Sequence, residues 1–236
     1  VANVSQGTYA GLPGSPATGE IYFFTDSVYP FARCDGAATW TYFLNGKIAV
    51  PPGPKSGWTS VNAGSELTIT DGAGTIDLLI TSNAATNLRG ISKTASFSSA
   101  IFYYRCTAGE QNSYLVGVGF TDGTKYKTIG FLIQSGAFTL EIRDWSNTTT
   151  TPSTVSVQPL FLGGPYMSSG MYFRLTNDSA TLGFDYSLDG ITYHSAGTEA
   201  VGTFLTPTGY FVGGENADTG TATKYLVVSL QSVTVV

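Results

Sequence analysis

Apolar and polar positions alternate along most of this chain. Met171, Phe173 and Leu175 point one way while Tyr172 and Arg174 point the other, and Leu182, Phe184 and Tyr186 share a face against Gly183, Asp185 and Ser187. Successive strand side chains leave opposite faces, so this period of two is a strand signal. Asp189-Gly190 reads as the reversal joining that strand to Ile191-Thr-Tyr193, and a one-residue slip would expose the whole apolar set. Similar runs recur at short spacing between Gly, Asn, Asp or Pro: Glu66 to Thr70, Thr75 to Thr81, Ala100 to Cys106, Tyr114 to Thr121, Tyr126 to Gln134, Phe138 to Asp144, Gly209 to Gly213 and Lys224 to Val235. Gly57 to Asn62 reads as an edge strand. No stretch carries a capped helical period. The pattern predicts an all-β chain folded as a mainly antiparallel β-sandwich.

The first fifty residues read differently. Gly11 to Gly19 is turn chemistry, and its Gly-x-Pro triplets fail the collagen period at Ala17. Glu20 to Thr25 and Thr39 to Leu44 predict short aromatic strands, with Trp40, Tyr42 and Leu44 on one face. Asp35-Gly36 and Asn45-Gly46 are read as turns. Two or three strands are too few to be stable alone, so this module must pack on the sandwich, on a partner or on copies of itself. The Pro-rich segment Val50 to Gly57 cannot supply ladder donors and marks a boundary. The expected division is a small β-module over 1–52 and the sandwich over 53–236.

Composition narrows the function classes. The chain has 236 residues, 13% aromatic and 11% charged, a low charge content that argues against disorder. Its net charge of -5, with scattered basic residues, offers no footprint for nucleic acid. No apolar run is long enough for a membrane helix, so membrane insertion is not expected, and the sequence from Val1 lacks a signal-peptide pattern. Cys34 and Cys106, far apart, are expected as buried reduced thiols.

One order of motifs stands out: Gly19 to Asp26, Asp35-Gly36, Trp40, Pro51-Pro52, Gly57-Trp58, Val61-Asn62, an Asn87-Leu-Arg-Gly90 turn and Tyr186 to Gly190. It resembles phage structural proteins in which a short β-rich head precedes a concanavalin A-like jelly roll. The resemblance covers nearly the whole chain, through structural motifs. It implies a virion-surface component such as a tail fibre, receptor-binding, head-fibre or decoration protein, made in a bacterial cytoplasm. Its partners would be other virion proteins and surface glycans. Homo-oligomers, trimers among them, suit a module that cannot bury its aromatics alone.

The fold also hosts glycosidases, which need two carboxylates across the scissile bond. The Glu-x-Asp-x-x-Glu run of retaining glucanases with this fold is missing. The nearest approach, Glu141 and Asp144, falls on opposite faces of a strand. His194, the sole histidine, supports neither a zinc set nor a triad. No cofactor is expected. Calcium would suit Asp71 to Gly74, Asn177-Asp178 or Glu215 to Asp218, yet none has EF-hand spacing and turn chemistry explains all three. Glycan binding needs an aromatic platform beside amides or carboxylates. Trp145 with Asn147, at a strand end before a polar loop, is the first candidate, and Tyr166 and Tyr210 follow. The β-branched run Thr148 to Val155 reads as an exposed loop or an edge strand that could pair with a neighbouring subunit. The expectation is a noncatalytic, lectin-like virion protein, with a purely architectural decoration protein and a polysaccharide-degrading enzyme as alternatives.

Overall fold

The structure is a computed structural model that describes residues 4–36, 39–82, 86–108, 114–134, 137–159, 170–217 and 225–236. An N-terminal sheet contains β1 (Val4–Gly7), β2 (Ile21–Phe24), β3 (Phe31–Gly36), β4 (Thr39–Leu44) and β5 (Lys47–Ala49) in that spatial order, with β1 parallel to β2. The following strands are β6 (Thr59–Val61), β7 (Leu67–Asp71), β8 (Ile76–Thr81), β9 (Leu88–Thr94), β10 (Ser99–Ala108), β11 (Tyr114–Thr121) and β12 (Tyr126–Gln134). After them come β13 (Ala137–Trp145), β14 (Ser153–Pro159), β15 (Met171–Asn177), β16 (Thr181–Ser187), β17 (His194–Ala200), β18 (Gly209–Asn216) and β19 (Tyr225–Val235). They form two seven-stranded sheets, a middle sheet ordered β17-β16-β15-β10-β19-β8-β7 and an outer sheet ordered β14-β13-β12-β11-β18-β9-β6. The chain is all-β, an antiparallel jelly-roll sandwich with a small N-terminal β-module. Among the described residues the only helical turns are two short 3-10 segments.

Alternation decides which side chains meet between the sheets. Phe102, Phe173 and Phe184 from the middle sheet meet Phe120 and Phe131 from the outer sheet, all fully buried in one cluster. Burying each such ring stabilises the fold by about 1.5–3 kcal/mol. Cys34 and Cys106 are buried and free, and burial pushes the Cys106 thiol up to about 12. At one end of the sandwich Lys127, 1% exposed, replaces an apolar core residue. Its Nζ donates to Asp144 Oδ1 at 2.7 Å and to Glu199 Oε2 at 2.6 Å, so one ammonium ties β12 and β13 to β17 of the facing sheet. Burial raises the Asp144 carboxyl, and the ammonium opposes that shift.

The N-terminal sheet packs on the far side of the middle sheet. Tyr29, Leu44 and Ala49 cluster with Tyr103 of β10, and Tyr9, Phe24, Tyr42 and Tyr172 pack around them. The Tyr29 hydroxyl reaches Gly74 O and Gln231 O, Val50 N donates to Ser232 Oγ at 3.0 Å, and Val233 N donates to Val50 O at 2.9 Å. The aromatics on the inner face of this sheet are therefore covered within the chain.

Several elements differ from the sequence expectation. The N-terminal sheet has five strands instead of two or three. In β3 the small Ala32 and Cys34 are the buried set, while the bulky Phe31 and Arg33 face away, which inverts the usual hydrophobic reading. Asp35-Gly36 is a bulge in that strand, with Gly36 at φ 123. Leu88 to Gly90 opens β9 instead of forming a turn. Ile191 to Tyr193 lies outside β17, because Asp189 Oδ1 takes the amides of Ile191 and Thr192 at 2.7 and 2.8 Å. Of the Thr148 to Val155 run, the first five residues form a loop and the rest begins the edge strand Ser153 to Pro159 of the outer sheet, so both expected forms occur. Of the expected strand ends, Lys224 lies outside the described residues.

Candidate functional site

The residues first expected to bind glycan do not form an open platform. Trp145 ends β13 on the outward face of the outer sheet, since Leu140 and Ile142 of the same strand occupy the core between the sheets. Yet it is 0% exposed, packed with Val61, Leu88, Leu115, Tyr126, Leu132 and Phe211, and its Nε1 donates to Thr128 Oγ1 at 3.1 Å. The following loop crosses to β9, where Thr148 O accepts from Leu88 N at 2.9 Å. Asn147 Oδ1 accepts from Thr149 N at 2.9 Å, closing a turn within that loop. Tyr210, 2% exposed, lies edge-on to Trp58, Phe97 and Phe102 on the core side. Tyr166 lies outside the described residues. Trp145, a large aromatic at a strand end, covers a second apolar cluster instead of facing water.

This outward face is floored by a row of glycines. Register places Gly90 of β9 beside Gly213 of β18, Gly213 beside Gly117 of β11, and Gly117 beside Gly130 of β12, with Glu141 of β13 next in line. A Cβ at Gly117 would fall 2.0 Å from Ile129 O, and one at Gly213 would fall 2.1 Å from Arg89 O. Beside the row Arg143 Nε donates to Glu141 Oε2 at 2.8 Å while its Nη1 donates to Glu215 Oε2 at 3.1 Å. Asp144 joins the Lys127 pair on the opposite face, as the strand spacing required. Glu215 is 3% exposed and its carboxyl is raised by burial.

The remaining candidate loops are satisfied locally. Asp178 Oδ1 accepts from Ala180 N and Thr181 N, and Asn177 Oδ1 accepts from Ser179 N at 3.2 Å. Asp71 Oδ1 accepts from Lys55 N at 2.6 Å. Glu215 pairs with Arg143, and Asp218 lies outside the described residues. No group of three or more metal-ligating side chains gathers among the described residues. His194 is exposed on β17, 5.5 Å from the Tyr186 ring.

A cleft does open between the N-terminal sheet and the middle sheet, with a volume of about 390 Å³, inside the range of small-molecule pockets. The Asn45-Gly46 turn, with φ of 52 and 75, puts Asn45 at its rim and Lys47 on β5 in its wall. Asn45 Nδ2 donates to the Tyr103 hydroxyl at 2.8 Å, and the Tyr103 and Tyr172 rings lie 4.4 Å apart. Lys47 Nζ sits 5.4 Å from the Tyr172 ring centroid. Arg105 and Leu188, both exposed, complete the apolar and cationic lining.

Asp189 is the single carboxylate among the described residues of this lining. The amides of Ile191 and Thr192 hold it well below the usual carboxylate range, with the Ser187 hydroxyl adding a third bond at 2.9 Å. It is therefore an acceptor fixed in its ionised form, unsuited to donating a proton near neutrality. The sequence did place Tyr172 on the face turned away from the Met171-Phe173-Leu175 core. What it lacked was the pairing of that face with the Asn45-Gly46 turn.

Comparison with known proteins bears on the fold. No family model and no curated protein matches the chain. A solved protein of unknown function from Saccharomyces cerevisiae is 18% identical, with 78% of this chain aligned to 99% of that one at a TM-score of 0.52. An engineered GH43 glycoside hydrolase with endo-xylanase and exo-arabinofuranosidase activity is 15% identical at a TM-score of 0.56. The alignment covers 79% of this chain but 39% of the hydrolase, so this chain spans well under half of that enzyme. The CBM2 module of the evolved Dit of Lactobacillus casei BL23 phage J-1 aligns over 76% of this chain and 93% of its own, with 11% identity and a TM-score of 0.47. The likeness to the first two concerns the β-sandwich fold alone.

Proposed function

We propose that the chain is a noncatalytic virion structural protein whose sandwich binds glycans, and that binding occurs in the cleft between the N-terminal and middle sheets. The observation that carries this reading is the lining itself: a half-buried Tyr172 and an exposed Leu188 beside Asn45, Lys47 and Arg105. Sugars show an apolar face and a polar edge, and such a mixture matches both. The lone, fixed Asp189 supports a binding role, because glycoside hydrolysis needs a second carboxyl group to share the work. The virion setting rests on the motif order of the sequence.

The free face of the N-terminal sheet supports attachment to other virion proteins or to copies of this chain. Phe23, Phe31, Phe43 and Ile48 form one cross-strand row, with ring centroids 5.9 Å apart for Phe23 and Phe31 and 4.7 Å for Phe31 and Phe43. Phe23 is 44% exposed and Ile48 71%. Contiguous exposed apolar rows mark contact surfaces. Sedimentation velocity should show wild-type oligomers that Phe43→Lys dissociates; a monomeric wild type would remove the homo-oligomer from this reading.

The glycan reading is tested by a glycan array probed with the wild type and with Tyr172→Ala. Saturable binding is expected for the wild type, weakened at least ~10-fold in the variant, the equivalent of about 1.4 kcal/mol. A folded wild type that binds no glycan would leave the architectural decoration role. Of the carboxylate pairs bridged by one cation, Glu141 with Glu215 lies on the outward face of the outer sheet while Asp144 with Glu199 lies between the sheets, so bound oligosaccharides should also be assayed for new reducing ends. Their appearance, abolished by Glu215→Gln, would establish the polysaccharide-degrading alternative.

A further inference from the structure

The cleft carries a charge imbalance that specifies its ligand further. Lys47 Nζ is buried and has no hydrogen-bond partner. It lies 5.4 Å from the Tyr172 ring centroid and feels the Asp189 carboxylate through space without bonding to it. Among the described residues neither Lys47 nor Arg105 forms an ion pair with a carboxylate. Asp189, the only acid among the described residues of the lining, has Oδ1 already occupied by two amides and a hydroxyl. Among the described residues of the lining, two cations thus face one carboxylate, whose Oδ1 is committed to its own turn.

An unpaired ammonium withdrawn from water is costly unless something of opposite charge meets it. Lys47 lines the cleft wall with the Tyr172 ring against its ammonium, and Asn45 on the preceding turn lines the same cleft. Arg105 adds a planar fork that matches a carboxylate in two parallel hydrogen bonds. Building on the glycan reading above, we infer that the cleft selects acidic sugars of the uronic acid class, with the sugar carboxylate held between Lys47 and Arg105 and the ring laid against Tyr172 and Leu188. The N-terminal sheet is then part of the binding site, since β5 and the turn before it supply Lys47 and Asn45.

The test is isothermal titration of the full chain with trigalacturonate and with galactotriose, which share a sugar configuration and differ in charge. Trigalacturonate should bind at least 10-fold more tightly than galactotriose, and the difference should shrink as salt is raised. Lys47→Met and Arg105→Gln should each reduce that preference, and Lys47→Arg should restore part of it. Arg105 is exposed, so Arg105→Gln tests the idea even if Lys47→Met unfolds the protein, which a thermal melt would reveal. Equal affinity for the two sugars would overturn the acidic selectivity and leave glycan binding intact. Binding of neither by the folded wild type would overturn both.

Discussion

Gly117→Ala is expected to destabilise the protein by about 3 kcal/mol, at the upper end of the usual cost of overpacking. The added methyl would meet Ile129 O at 2.0 Å and the Gly130 Cα at 2.6 Å, both backbone atoms that cannot rotate aside. Strand propensity works in the opposite direction, since replacing a mid-strand glycine by alanine ordinarily gains about 0.5–1 kcal/mol. The clash wins because relief requires β11 and β12 to separate in the middle of the sheet, where each is paired on both sides. Gly57→Ala is the control: nothing lies within 4 Å of its would-be Cβ, and its stability should change by no more than about 0.5 kcal/mol. Urea unfolding measures both as shifts in midpoint at unchanged slope. A Gly117→Ala protein as stable as the wild type would contradict the close strand approach along this row.

Trp145→Ala should cost about 3–5 kcal/mol, the range for truncating a buried large aromatic, and should leave the sugar affinity proposed for the cleft unchanged at temperatures where the protein stays folded. The indole is fully buried under the loop that reaches β9, and its loss would open a void among Tyr126, Phe211 and Leu132. It would also leave the buried Thr128 hydroxyl without its donor, adding roughly 1 kcal/mol. Trp145→Phe keeps most of the packing and should fall between the wild type and the alanine variant. Unfolding curves paired with sugar titrations separate stability from binding. Lost binding at unchanged stability would mean that Trp145 is a contact residue after all.

Where side chains alternate strongly, the sequence carried the fold. The strands at Tyr114 to Thr121, Tyr126 to Gln134 and Thr181 to Ser187 have the ends that their periodicity predicts. Each contributes apolar residues to the core on alternate positions, and turn residues bound them. The strand at Phe31 to Gly36 was missed because small residues do the packing and large ones face outward. The strand at Leu88 to Thr94 was missed because Asn-Leu-Arg-Gly has the composition of a turn. Only its neighbours reveal that Gly90 is there to let Gly213 come close.

The candidate site was less legible for a related reason. Trp145 has the local surroundings of an exposed binding aromatic, and nothing within several residues announces the contact between Thr148 and Leu88 that buries it. Lys47 and Tyr172 lie 125 positions apart in the sequence. By itself the sequence determined the all-β class, most strand positions and the faces they present, because alternation and turn chemistry are local properties of neighbouring residues. Tertiary structure alone decided which faces meet and which side chains stay open. The depth of Trp145, the glycine row across four strands and the cation-lined cleft all depend on register and sheet stacking between distant segments, and those are set by the packing of the whole chain.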